Sequence, residues 1–195
     1  ILQSAVNTLG SDAVASVTAA SKISMFIVCP FDSMGATMAT YGGQNAGGYK
    51  LDRLHKGLGS CIILGAVYSV IGLLIIVAFG PHLLKLFVSG SETGILADAQ
   101  HFLLINGLFY FPLALVNIVR FMIQGMGFGF FAIIAGVLEM AARTLVGAVF
   151  VPIFGYNAAC FASPLAWIFA DCFLIPAYFV VWNRMKRHKE AYRQV

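Results

Sequence analysis

Of the 195 residues, 60% are hydrophobic and only 10% are charged, against about 25% charged in an ordinary soluble domain. A chain so poor in charge cannot cover a water-facing surface, which excludes a soluble globular fold. The net charge of +4 is modest and does not suggest nucleic acid. The abundance of Phe and Gly, 17 and 20 residues, fits membrane helices, where rings meet lipid and small residues let backbones approach.

The chain opens Ile1-Leu2-Gln3-Ser4, with no Met, basic n-region or cleavage site, and so reads as the interior of a longer protein rather than a signal peptide. A span needs about 20 predominantly apolar residues to cross about 30 Å of hydrocarbon. Residues 1–9 look like the tail of one span, and Gly10-Ser11-Asp12 like a turn whose Ser or Asp caps the next helix. The first full span is expected over about 13–41, kinked at Pro30, and a glycine-rich polar loop over 42–56. No Asp, Glu, Lys or Arg occurs between Lys56 and Lys85, so 58–79 is the cleanest span, with Gly80-Pro81 as its stop and 81–97 as a loop. The third span covers 98–124, with Pro112 near its middle. A turn at Gly125–Gly129 leads into the fourth, 130–151, which Pro152 and Gly155 end. The fifth covers 161–182, and 183–195 form a basic tail. The fold class is therefore all-α: a polytopic helical membrane protein with five full spans and the tail of a sixth.

Charge placement gives the orientation. The 42–57 connection and the C-terminal tail share one side and hold Lys50, Arg53, Lys56, Arg184, Lys186, Arg187, Lys189 and Arg193, eight of the 12 basic residues, while the opposite loops hold only Lys85. The basic side should be cytoplasmic, which puts the C-terminus in the cytosol and the protein in the cell membrane.

The order and spacing of the punctuation resembles the C-terminal half of a multidrug and toxic-compound extrusion (MATE) transporter. The resemblance rests on Gly10, the Ala-rich stretch 13–20, Pro30 and Gly43-Gln44-Asn45-Ala46-Gly47. Leu86-Phe87 before Ser91-Glu92, Gln124-Gly125-Met126-Gly127, and Gly155 to Ala159 extend it over the whole chain. It implies helices seven (its tail only) through twelve, as one lobe of a two-lobe transporter with an internal pseudo-repeat. The partner it implies is the N-terminal lobe of the same protein. The activity implied is export of amphipathic, cationic compounds by alternating access in exchange for Na⁺ or H⁺, with membrane lipid around it. In several branches of the family an acid on helix ten contributes to coupling-ion binding. Residues 99–123 contain no Asp or Glu, so that site is not carried over.

Ionisable residues inside a membrane are functional candidates by default. Asp32 lies two residues beyond Pro30 near the midplane, where it is placed either to hold a cation or to pair with a neighbouring helix. Glu139 and Arg143 are spaced i, i+4, so they share a face and pair, with a proton or substrate cation as competitor for Glu139. Asp171 follows Trp167 by one turn, an arrangement suited to an organic cation or to helix packing. Asn106 and Asn117 differ by about 20° around one helix and form a polar stripe. Arg120 is near enough to the cytoplasmic end to snorkel, and Lys22 is placed to neutralise one of the acids. Cys29, Cys61, Cys160 and Cys172 have no metal spacing and read as small packing residues. No cofactor or metal is expected, and no enzyme, since His55, His82, His101 and His188 lie in loops, at a helix start or in the tail and show no metal spacing. The rival reading within the superfamily is a lipid-linked precursor flippase or polysaccharide exporter, which should line its cavity with several basic residues. This chain offers mainly Lys22 and Arg143.

Overall fold

The computed structural model describes residues 2–90 and 92–192, and side chains over 3–90 and 92–187. Ser91, Arg193 and the last two residues of the basic tail lie outside the described residues, as do the side chains of His188 and Lys189. Every element described is helical: α1 (Leu2–Asn7), α2 (Ser11–Gly47), α3 (Leu51–Leu84), α4 (Thr93–Leu108), α5 (Tyr110–Gly125), α6 (Gly129–Leu145), a π-helical turn (Val146–Phe150), α7 (Val151–Phe154) and α8 (Tyr156–Tyr192).

Several helices outrun their apolar cores. The connection expected over 42–56 shrinks to Gly48–Lys50, because α2 continues to Gly47 and α3 starts at Leu51. Hydropathy marks only the part of a helix in hydrocarbon, and 37 residues at about 1.5 Å each extend well past it. The helical backbone there is held by packing: a Cβ at Gly42 would lie 3.0 Å from Met122 O, so only glycine lets α2 approach α5 this closely. Gly80-Pro81 likewise does not end α3, which runs on to Leu84. Neither Ser11 nor Asp12 caps α2, since Gly10 is the N-cap and Ser11 Oγ bonds Asp12 Oδ1 instead.

Proline acts one turn upstream of itself, because its ring displaces the carbonyl four residues back and its missing N–H leaves that oxygen unpaired. Thus the third span bends by 51° between α4 and α5, at Leu108–Phe109 rather than at Pro112, four residues on from Leu108. Pro152 acts in the same way on Ala148, inside the π-helical turn. Pro30 leaves α2 helical throughout, while Tyr68 Oη donates to the nearby Ile27 carbonyl at 3.0 Å.

The core is built round α5, which packs against α2, α3, α6 and α8. At its upper end fully buried Phe31 meets Tyr68 edge-on at 5.1 Å and Tyr110 at 5.9 Å, offset geometries that aromatic pairs favour. A smaller cluster joins Val6 of α1 to Val146, Val151 and Ala159. The outer face of α3 presents Ile63, Leu64, Val70, Ile71, Leu74 and Val77, all exposed. Facing acyl chains, that surface needs no protein cover.

Candidate functional site

Two features of this bundle carry chemistry. One is an interior cluster of four charges. The Gly127 turn, at φ +92°, folds α6 back along α5 and brings Glu139 opposite Arg120. Glu139 is 8% exposed and is shared by two guanidiniums: Arg120 Nη2 donates to Oε1, and Arg143 Nη2 lies 3.0 Å from Oε2. The i, i+4 pair expected of Glu139 and Arg143 is formed. Arg120 does not snorkel as expected, because a buried carboxylate within reach is a better partner than the interface.

Asp171, on α8, is the fourth member. It lies about midway along its helix, is 7% exposed, and interacts electrostatically with Arg120. Its Oδ1 is buried without a hydrogen-bond partner, and so is Arg120 Nε. Trp167, one turn away, is itself buried in the core, so the pair is enclosed within the bundle and offers no open seat for an organic cation.

The other feature is the outward face of α2. Cys29, Asp32, Ser33, Thr37, Thr40 and Gln44 are all exposed at helical spacing, following Met25 and Phe26, which are 76% and 77% exposed. Ser33 and Thr37 donate back to Cys29 O and Ser33 O at 3.1 and 2.8 Å, and the Asp32 carboxylate is the acid on this face, with exposed Lys22 nearer its N-terminal end. The ion pairs among the described residues both belong to Glu139, so Asp32 is not held by a neighbouring Lys or Arg.

The remaining candidates have local roles. Lys22 does not neutralise an acid, for its Nζ sits 5.5 Å over the Phe87 ring, an aromatic contact that satisfies an exposed ammonium. Asn106 and Asn117 do not form one stripe, because the bend at Phe109 separates them. Each amide is buried and donates back along its helix, to Phe102 O at 2.9 Å and Leu113 O at 3.3 Å, and Asn106 also donates across to Cys160 O of α8 at 3.4 Å. Sequence alone places His55 outside the spans and gives it no role. His55, in the first turns of α3, bonds Tyr178 Oη at 3.3 Å and packs 5.0 Å from the Trp182 ring. The enriched Tyr and Trp near a basic helix end are the signal that marks such a membrane-interface cluster.

Long apolar helices define a membrane-spanning helical bundle, with a charge cluster in its interior and a carboxylate on an outward polar face. The MatE family model matches residues 1–153, and the chain belongs to that family. Its fold is shared with solved structures of low sequence identity. One is an outward-facing multidrug resistance MATE family transporter of the MOP superfamily, with 20% identity and a TM-score of 0.83 over 95% of this chain and 42% of that one. A MATE in complex with MaL6 gives 21% identity and a TM-score of 0.82 over 97% and 42%. A MOP superfamily transporter from Pyrococcus furiosus gives 19% identity and a TM-score of 0.77 over 92% and 39%. The chain thus spans about two fifths of the length of the transporters it matches. No curated protein matches the sequence.

Proposed function

We propose that the chain is the C-terminal lobe of a secondary active antiporter, set in the plasma membrane with its basic end in the cytosol. The complete protein exports amphipathic, cationic compounds in exchange for Na⁺ or H⁺. Family membership supplies the class, and the observation that carries the rest is Asp32, exposed and unpaired midway along α2. A charge held against lipid at that depth costs about 2.5–3.5 kcal/mol even on insertion scales. The face is therefore read as lining a water-filled cleft against the second lobe, where two lobes rock about a central site. A carboxylate beside exposed Met25 and Phe26 suits a flat organic cation with an apolar body.

A substrate carrying phosphate is less well served. Lys22 is the one basic residue of α2, and Arg120 and Arg143 are already bound to Glu139. The reading is tested by efflux of ethidium from vesicles holding the complete transporter under imposed Na⁺ or pH gradients. Loss of one charged contact is worth about 1.5–3 kcal/mol, so Asp32→Asn should slow efflux by about tenfold or more. Undiminished efflux in that variant would remove α2 from the substrate path.

A further inference from the structure

The four interior charges do not balance around Glu139 alone. Two guanidiniums share one carboxylate, and among the described residues the further acid that interacts electrostatically with Arg120 is Asp171. With Asp171 ionised the cluster is neutral, yet Oδ1 is left buried and without a donor. With Asp171 protonated the cluster carries one excess positive charge, relieved in part because the Arg120 and Arg143 side chains are 21% and 34% exposed. Neither state is fully satisfied, so the contacts seen here do not lock the cluster into one charge state. Arg120 is the movable part. Its Nε has no partner, and Glu139 keeps Arg143 whether or not Arg120 stays.

We infer that Asp171 is the site at which this transporter takes up and releases the exchanged proton, with Arg120 passing between Glu139 and Asp171 as the proton leaves and returns. The proposal rests on the antiporter reading and deepens it by naming the ion and its place. A proton from water on one side adds to a carboxylate oxygen of Asp171. This neutralises the carboxylate and leaves Arg120 on Glu139, the arrangement seen here. Loss of that proton to the other side restores the carboxylate, which draws Arg120 across to α8. α5 is positioned to pass this on to α2, since Phe121, next to Arg120, lies against Gly35, where an added Cβ would come within 2.7 Å of the ring. A sodium ion is poorly matched to the same place: it would meet one carboxylate and an adjacent guanidinium that repels it.

The groups that face Asp171 are few. α8 packs against α5, α6, α4, α7, the π-helical turn and α1. From α5 comes Arg120, and from α6 come Glu139 and Arg143. On α4, His101 and Asp98 meet Asn157 and Tyr156 at the far end of α8, and His55 of α3 meets Tyr178. The other three elements carry no titratable side chain.

The test uses the complete transporter in proteoliposomes, with ethidium as the probe and a pH or a Na⁺ gradient imposed separately. The pH gradient alone should drive efflux. Asp171→Asn should cut that efflux by roughly a hundredfold, the low end of what a positioned proton-transfer group contributes, and Asp171→Glu should restore part of it. Ethidium binding should vary with pH in the wild type and lose that variation in Asp171→Asn, a change that a purely structural role would not produce. Carbodiimide treatment of the wild type, read by mass spectrometry, should place an adduct on Asp171 that fades as pH rises, independently of whether any variant folds. Efflux driven by Na⁺ alone, undiminished pH-driven efflux in Asp171→Asn, or absence of the adduct would each overturn the proton site while leaving the antiporter intact. Wild-type ethidium movement under neither gradient would overturn both readings.

Discussion

Replacing Glu139 by Gln tests whether the interior cluster is a true buried charge network. The substitution keeps the shape of the side chain, removes its charge, and strands two guanidiniums. Removing one partner of a fully buried ion pair costs about 3–5 kcal/mol. Here the Glu139 side chain is 10% exposed but its partners Arg120 and Arg143 are 21% and 34% exposed, so solvent recovers some of that loss. Discounting by about a third gives roughly 2–4 kcal/mol, or an apparent melting temperature lower by about 4–16 °C for a unit of this size. The natural thiols supply the assay. Cys61 and Cys160 are buried while Cys29 and Cys172 are exposed. In a Cys29→Ser, Cys172→Ser background, a thiol-reactive dye should label the detergent-solubilised lobe only as it unfolds. Adding Arg120→Gln to Glu139→Gln should recover part of the loss by removing one stranded charge. A shift within about 0.5 kcal/mol, the scatter of ordinary surface substitutions, would mean that the cluster is solvated and that its geometry carries no energetic weight.

Gly42→Val should destabilise the bundle by about 1–3 kcal/mol as an overpacking change, because the new side chain would be driven onto Met122, whose O and Sδ already lie 3.0 Å from the Cβ position. The same melting assay reads it. Cysteines placed at Asp32 or Thr37 should react with a membrane-impermeant thiol reagent in the complete transporter, whereas one placed at Ile71 should not. Equal labelling at Ile71 would contradict the division between a wet α2 face and a lipid-facing α3.

Composition and hydropathy were sufficient to make this chain a polytopic helical membrane protein, with up to five candidate spans among the described residues. They suffice because the bilayer applies one uniform rule, burial of apolar length, that needs no knowledge of neighbours. The Glu139–Arg143 pair was legible for a similar reason, since i, i+4 spacing fixes proximity within one helix. Helix ends at 47, 51 and 84 were not, because a helix outside hydrocarbon persists or stops according to what it packs against. Nor did Pro112 announce that its effect would fall at Phe109, which part of the helix then bends away. Only the tertiary structure decided that Arg120 reaches Glu139 rather than the interface, that Asn106 and Asn117 lie on separate segments, that Lys22 rests on Phe87, and that Asp32 faces outward while Asp171 is enclosed. Those outcomes depend on which helix stands opposite which at a given depth, and neither the hydropathy nor the periodicity of a single helix carries that information.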